Sequence, residues 1–248
     1  MKLITFGCSF TFGEELDDLP EWYNDKNDKR NYNPLKLKYH KPSKKSYPYI
    51  MGNILDCSVD NKGWSGISND RIFRTFFNHI IKNNPSNYVI QWTFPHRTEY
   101  WSEKKQMFRG VVPTQISSDN DNECISYAKE YYTKYYNEEV SNLKLLSSIW
   151  SVDALCKRFN CKVIQFLPIG MDNMNWDGNN LNSKYPLLNH EMNRLPNSFL
   201  DTKVIRDLVD NKMHPTEKGH KDLAEYLVTY FLPETKHFAD DFHEGKME

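Results

Sequence analysis

A serine on a glycine turn, a histidine late in the chain and an aspartate four residues before it have the side-chain types that acyl chemistry needs. Ser9 lies in Gly7-Cys8-Ser9-Phe10, directly after Leu3-Ile4-Thr5-Phe6. That run is apolar or β-branched and reads as a short buried strand. Gly7 ends it, because glycine accepts the backbone angles of a sharp turn. Ser9 therefore sits just past the carboxyl end of a strand, where open parallel α/β sheets bind ligands. A hydroxyl is a weak nucleophile until a base takes its proton. Histidine is the side-chain type suited to that role, and His214 is the candidate. Asp210 has the type that fixes the imidazole tautomer and stabilises its cation. Backbone N–H groups of Ser9 and Gly66 are candidates for the oxyanion. Losing one such donor costs roughly 3–4 kcal/mol in the transition state.

Each of these residues also has a plainer reading. Ser9 can merely hydrogen-bond its own turn. His214, before Pro215, can steady a helix entrance, and Asp210 can cap the turn before it. Gly66 can be a turn glycine. The Cys8 thiol, adjacent to Ser9, is a rival nucleophile.

The elements that must carry these residues alternate along the chain. Glu14 to Lys45 is a polar stretch without a sustained period, and reads as a long surface loop. Tyr47 to Leu55 reads as a short helix with Pro48 in its first turn. Cys57 to Asn61 reads as a second strand, followed by the Gly63-Trp64-Ser65-Gly66 loop. Ser68 is placed to cap a helix whose apolar stripe is Ile72, Phe73, Phe76, Phe77 and Ile80. Tyr88 to Trp92 is a third strand, running into Thr93-Phe94-Pro95-His96-Arg97. Thr98 to about Glu123 is irregular. Helices are expected over Ile125–Tyr136 and Glu139–Phe159, and the break near Asn137 reads as either a kink or part of one continuous helix. Lys162 to Leu167 is a fourth strand, and Thr202 to Ile205 a short fifth. A last helix, following His214-Pro215-Thr216, buries Leu223, Ala224, Leu227, Val228 and Phe231. Strands alternating with helices predict a three-layer α/β domain with a parallel sheet of about five strands and helices on both faces. A single domain over residues 1–232 with a polar tail over 233–248 is expected.

Composition narrows the function classes. The chain has 248 residues and a formal net charge of -1, from 32 Lys and Arg against 33 Asp and Glu. That balance gives no general attraction to nucleic acid or anionic membrane, so neither is expected as a partner. Hydrophobic residues make up 39% and charged residues 26%, which is ordinary for a globular chain. Aromatics reach 14%, many in polar stretches, which hints at a stacking surface for sugars or other flat ligands. The five cysteines are odd in number and lack CxxC spacing, so no disulfide framework or zinc site is expected. A reduced, cytoplasmic setting fits that usage. The strand beginning at residue 2 is expected to leave no room for a leader peptide. No apolar run approaches the ~20 residues of a membrane span. Histidine and acidic residues lack ligand spacing, so neither metal nor cofactor is expected.

The order of these blocks resembles the SGNH/GDSL hydrolase superfamily, over most of the chain. Gly7-Cys8-Ser9-Phe10 resembles the first block, Asn61 through Gly66 the second, and Asp210 through Pro215 the last. Gly219-His220 and the helix after it match the usual ending. The resemblance implies a flavodoxin-like fold and hydrolysis of acyl esters, often acetyl groups on carbohydrates. It places Ser9 as nucleophile, His214 as base, Asp210 as its partner and Gly66 as an oxyanion donor. The chain departs from the pattern in three places. Cys8 stands where an Asp usually precedes the serine. The third block lacks its oxyanion Asn, which leaves Thr93 or Arg97 as a substitute donor. The Asp-to-His spacing is longer by one residue.

Two functions are therefore expected in competition. One is a serine esterase acting on a small acyl group of a small-molecule or glycan substrate, with Trp64 and Arg97 on the substrate side. The other is a catalytically weak or inactive glycan-binding or assembly module on the same fold.

Overall fold

The computed structural model describes residues 2–20, 41–83, 86–104, 106–113, 123–167, 196–200 and 214–232. In chain order the elements are β1 (Lys2–Phe6), α1 (Ser9–Phe12), α2 (Tyr47–Ile54), β2 (Ser58–Asn61), α3 (Asn69–Ile80) and β3 (Asn87–Gln91). Then come β4 (Thr98–Ser102), β5 (Met107–Val111), α4 (Glu123–Glu130), a π-helical turn (Tyr131–Tyr135), α5 (Glu138–Arg158), β6 (Val163–Phe166) and α6 (Glu217–Val228). A four-stranded sheet runs in the order β2-β1-β3-β6, and helices flank it. β1 pairs in parallel with both neighbours, Ile4 lying opposite Asp60 on one side and Tyr88 on the other. The α/β class expected from the alternation is the class observed.

The chain groups into two compact units. The first comprises residues 1–65, 86–91 and 201–248, and the second residues 66–85 and 92–200. In the first unit, β1 and β3 are apolar almost throughout because both faces of a parallel sheet are covered. Leu3, Ile4, Phe6, Val89 and Ile90 are buried. Helices α2 and α6 pack against each other. Tyr47 stacks on His220 across that contact, with ring centroids 6.2 Å apart. Gly52 lets α2 lie close to β2, since a Cβ there would meet a Val59 methyl at 2.2 Å.

In the second unit, the Ser68 hydroxyl caps α3 by accepting from the Arg71 N–H. Helices α3 and α5 pack together. The break near Asn137 is a true helix start, because the Asn137 side chain accepts from the Val140 N–H. The segment expected to be irregular after Thr98 is instead an antiparallel hairpin, β4–β5, with Trp101 opposite Phe108. Their rings meet edge to face at 5.1 Å, the cross-strand pairing that stabilises such ribbons. Among the described residues the sheet has four strands. Thr202–Ile205 lies outside the described residues, as does the tail from 233. A single parallel bridge from Gln165 to Phe199 extends β6 on its free side.

Candidate active site

In the first unit, β1 ends at Phe6 and the chain turns at Gly7 into the single helical turn α1. Gly7 is required there, because a Cβ would fall 2.1 Å from Thr11 Oγ1. Side-chain bonds from three other elements hold the turn. Gln91, at the end of β3, accepts from the Thr11 N–H at 3.1 Å and from its hydroxyl at 2.7 Å. The same side chain donates to Cys8 Sγ at 3.0 Å. The Thr11 and Tyr47 hydroxyls share a further hydrogen bond of 2.9 Å. From the second-block loop, Asn61 donates to the Thr11 carbonyl at 2.6 Å and accepts from the Gly63 N–H at 2.8 Å. The Trp64 N–H donates to the Gly7 carbonyl. Gly63 lies against this turn so closely that a Cβ would sit 2.7 Å from the Phe12 nitrogen.

Ser9 is thus held by its neighbours and buried, with 4% of its surface exposed. Its hydroxyl donates a long bond to Cys8 Sγ at 3.8 Å. The Cys8 sulfur, which receives the Gln91 amide as well, is buried.

His214 stands just before α6, with its ring edge-on to Phe10, the residue after Ser9, at 5.7 Å. Two glutamates that follow the nucleophile turn flank the imidazole. Glu14 comes within 3.5 Å of Nε2 and Glu15 within 3.3 Å of Nδ1. Nδ1 is buried and outside hydrogen-bonding geometry, so its relation to Glu15 is one of charge and distance. Glu14 also accepts from the Ser65 hydroxyl at 2.5 Å. Glu15 has a left-handed φ of 69°, unusual for a side chain with a Cβ and a mark of local constraint. Among the described residues no hydrogen bond joins Ser9 to His214. Asp210 lies outside the described residues.

His220 belongs to the scaffold. Its Nδ1 accepts from the Tyr47 N–H at 3.2 Å, it is fully buried, and its Nε2 has no hydrogen-bond partner. Burial, with a smaller contribution from His214, pushes its pKa down to about 4. It is therefore a neutral imidazole that ties α6 to the start of α2.

The remaining sequence candidates fall as follows. Trp64 is half-buried in the first unit beside the nucleophile turn. Gly66, Thr93 and Arg97 belong to the second unit. Gly66 is exposed with φ at 71°, and a Cβ would meet nothing within 4 Å, so backbone conformation alone calls for glycine. Thr93 is fully buried and its N–H donates to Asn69 Oδ1 at 2.8 Å, while Asn69 Nδ2 donates back to the Thr93 carbonyl at 2.9 Å. That exchange engages the Thr93 backbone donor and leaves its buried hydroxyl without a partner. Arg97 follows a turn closed by its N–H on the Phe94 carbonyl, and its guanidinium lies 5.4 Å from the Phe94 ring.

Sequence reading missed Gln91, Glu14, Glu15 and Asn69. Gln91 carried a signal, being an amide that directly follows the apolar run Tyr88-Val89-Ile90. The paired glutamates after Gly13 carried only their charge. No group of three or more metal-ligating side chains occurs among the described residues, and none of their helices is long and apolar enough to cross a membrane.

No protein-family model matches the chain, and no curated protein does. Solved structures do resemble it. A G-D-S-L family lipolytic protein from Desulfitobacterium hafniense is 16% identical, at a TM-score of 0.48, over 92% of this chain and 97% of that one. An acetyl xylan esterase from Butyrivibrio proteoclasticus is 16% identical, at a TM-score of 0.49, over 94% of this chain and 63% of that one. A family two carbohydrate esterase from Clostridium thermocellum, solved with cellohexaose, is 14% identical, at a TM-score of 0.45, over 94% and 64%. The chain thus spans nearly all of the first and less than two thirds of the two carbohydrate esterases. These similar structures are thus a G-D-S-L family lipolytic protein, an acetyl xylan esterase and a family two carbohydrate esterase.

Proposed function

We propose that the chain is a divergent serine ester hydrolase of the SGNH/GDSL type, removing a small acyl group, such as acetyl, from a carbohydrate-like carrier. The observation that carries this reading is the rigid turn holding Ser9 at the carboxyl end of β1, with the His214 ring against Phe10, its sequence neighbour. Ser9 Oγ attacks the ester carbonyl, His214 takes its proton and returns it to the leaving alcohol, and water, deprotonated by His214, then cleaves the acyl group from Ser9 and restores its hydroxyl. For that step the imidazole must turn from the glutamates to Ser9, a closure that substrate binding tightens in many hydrolases. A recessed hydroxyl suits a small acyl group better than a long chain. Trp64 serves the carrier, and the Ser9 N–H serves the oxyanion.

Two carboxylates compete for the position behind the base. Asp210 has it by resemblance of block order. Glu15 has it by distance, lying 3.3 Å from Nδ1. Incubation with a fluorophosphonate followed by intact-mass measurement tests the reading. One adduct on the wild type, absent from Ser9→Ala, is expected. Equal labelling of Ser9→Ala, with loss in Cys8→Ala, overturns it in favour of the thiol.

The second reading is a glycan-binding module without turnover. The absent Ser9–His214 hydrogen bond and the engaged Thr93 N–H favour it. Under it a folded wild type gives no adduct, and Ser9→Ala leaves sugar binding intact.

A further inference from the structure

In the second unit a small cleft open to solvent is lined by the Arg97 turn and by one face of α5. Ser141, Lys144 and Ser148 line it from that face, at the spacing that stacks residues along a helix. Tyr131 from the π-helical turn and Asp70 from α3 add to the polar lining, along with Asn69 and Thr98. Arg97 enters from the opposite wall. Its Nε and Nη1 atoms are buried and have no hydrogen-bond partner. Among the described residues no carboxylate pairs with it within 4 Å, whereas Arg74 pairs with Glu99 in the same unit.

A guanidinium withdrawn from water and left without an acceptor is costly, unless something else supplies the acceptor. The cleft offers that place. Arg97 and Lys144 contribute two positive charges against one carboxylate, Asp70, and the Ser141 and Tyr131 hydroxyls stand ready to donate, while the Ser148 hydroxyl is spent on the Lys144 carbonyl. Burial pushes the Asp70 carboxyl upward, which eases its conflict with a second anion. We infer that this cleft is a binding site for a small oxyanion, with Arg97 as its anchor, Lys144 as the second cation and the Ser141 and Tyr131 hydroxyls as further donors. The chemistry shared by its ligands is a carboxylate or phosphate group able to accept several hydrogen bonds at once. The site uses neither Ser9 nor His214, so it stands whether or not the chain hydrolyses esters.

The full chain is titrated with sodium phosphate and, separately, sodium acetate, at constant ionic strength set with chloride. Thermal melting and calorimetry read the binding. A saturable rise in Tm beyond the chloride control is expected. Stronger binding of phosphate assigns a phosphoryl ligand, and equal or stronger binding of acetate assigns a carboxylate. Arg97→Gln weakens the preferred anion at least tenfold, Lys144→Gln several-fold, and Asp70→Asn tightens it several-fold. Lys144 is exposed, so its variant keeps the test informative if Arg97→Gln fails to fold. Absence of any response beyond chloride, or an unchanged affinity in Lys144→Gln and Asp70→Asn, overturns the inference.

Discussion

The nucleophile turn and the base that would serve it are built on opposite principles. Ser9 is surrounded by bonds of fixed geometry: Gln91 and Asn61 both bind Thr11, and the Trp64 N–H closes on Gly7. His214 has an edge-on ring and two carboxylates at 3.3 and 3.5 Å, with no hydrogen bond on its buried Nδ1. Hydrogen bonds specify direction, whereas charges at such distances specify only neighbourhood. One half of the pair is preorganised, and the other can swing.

If the turn is the rigid half, crowding it should be the most damaging change available. Gly63→Ala pushes a Cβ to 2.7 Å from the Phe12 nitrogen and 2.8 Å from the Thr11 carbonyl carbon. These are backbone atoms and cannot move aside as a side-chain tip would. A loss of about 3 kcal/mol in chemical denaturation is expected. A loss below about 1 kcal/mol would show that the turn yields and erase the contrast with His214.

The scaffold beneath the base gives a pH signature of similar size. His220 has its pKa pushed down to about 4 from the usual 6.5, chiefly by burial. The unfolded chain therefore takes up a proton between these values that the folded chain refuses. Stability from this group is fully present above pH 6.5, falls as pH drops, and has lost about 3 kcal/mol near pH 4. His220→Gln keeps an acceptor for the Tyr47 N–H and should flatten that slope. An unchanged slope would place the acid sensitivity elsewhere.

The same division decides what could be read from the sequence. Elements governed by local rules stood out: Tyr47–Ile54 follows its proline and apolar face, α3 starts at the Ser68 cap, and α5 starts at Asn137. The β4–β5 hairpin did not, because neither strand alternates cleanly by itself. The Trp101–Phe108 pair that joins them exists only across the ribbon. At the site, Ser9 and His214 could be singled out by type and block order. The partners could not, since Gln91 at the nucleophile turn and Glu15 beside His214 reach their places through the fold. Nothing in a chain written in order sets Glu15 beside His214.

The glutamates therefore offer the sharpest test of the swinging half. Glu15→Gln removes a charge 3.3 Å from Nδ1 and leaves a side chain of the same size. Its carboxylate is largely exposed, so stability should change by no more than about 0.5 kcal/mol. Under the esterase reading the rate of fluorophosphonate labelling should fall about tenfold. If Asp210→Asn gives that effect and Glu15→Gln gives none, Glu15 is a bystander and the base is held by its own loop.

The smallest effect is expected at Ser65, whose hydroxyl donates to Glu14 at 2.5 Å. Ser65→Ala removes one charge-assisted bond at a half-buried position, about 1 kcal/mol in stability. It also frees the Glu14 carboxylate to follow the imidazole. If His214 must leave Glu14 to reach Ser9, that freedom should speed labelling modestly, by about two- to threefold, because Glu14 no longer anchors the imidazole away from the nucleophile. Slower labelling in Ser65→Ala would mean the opposite: that Ser65 and Glu14 together hold the base where Ser9 needs it.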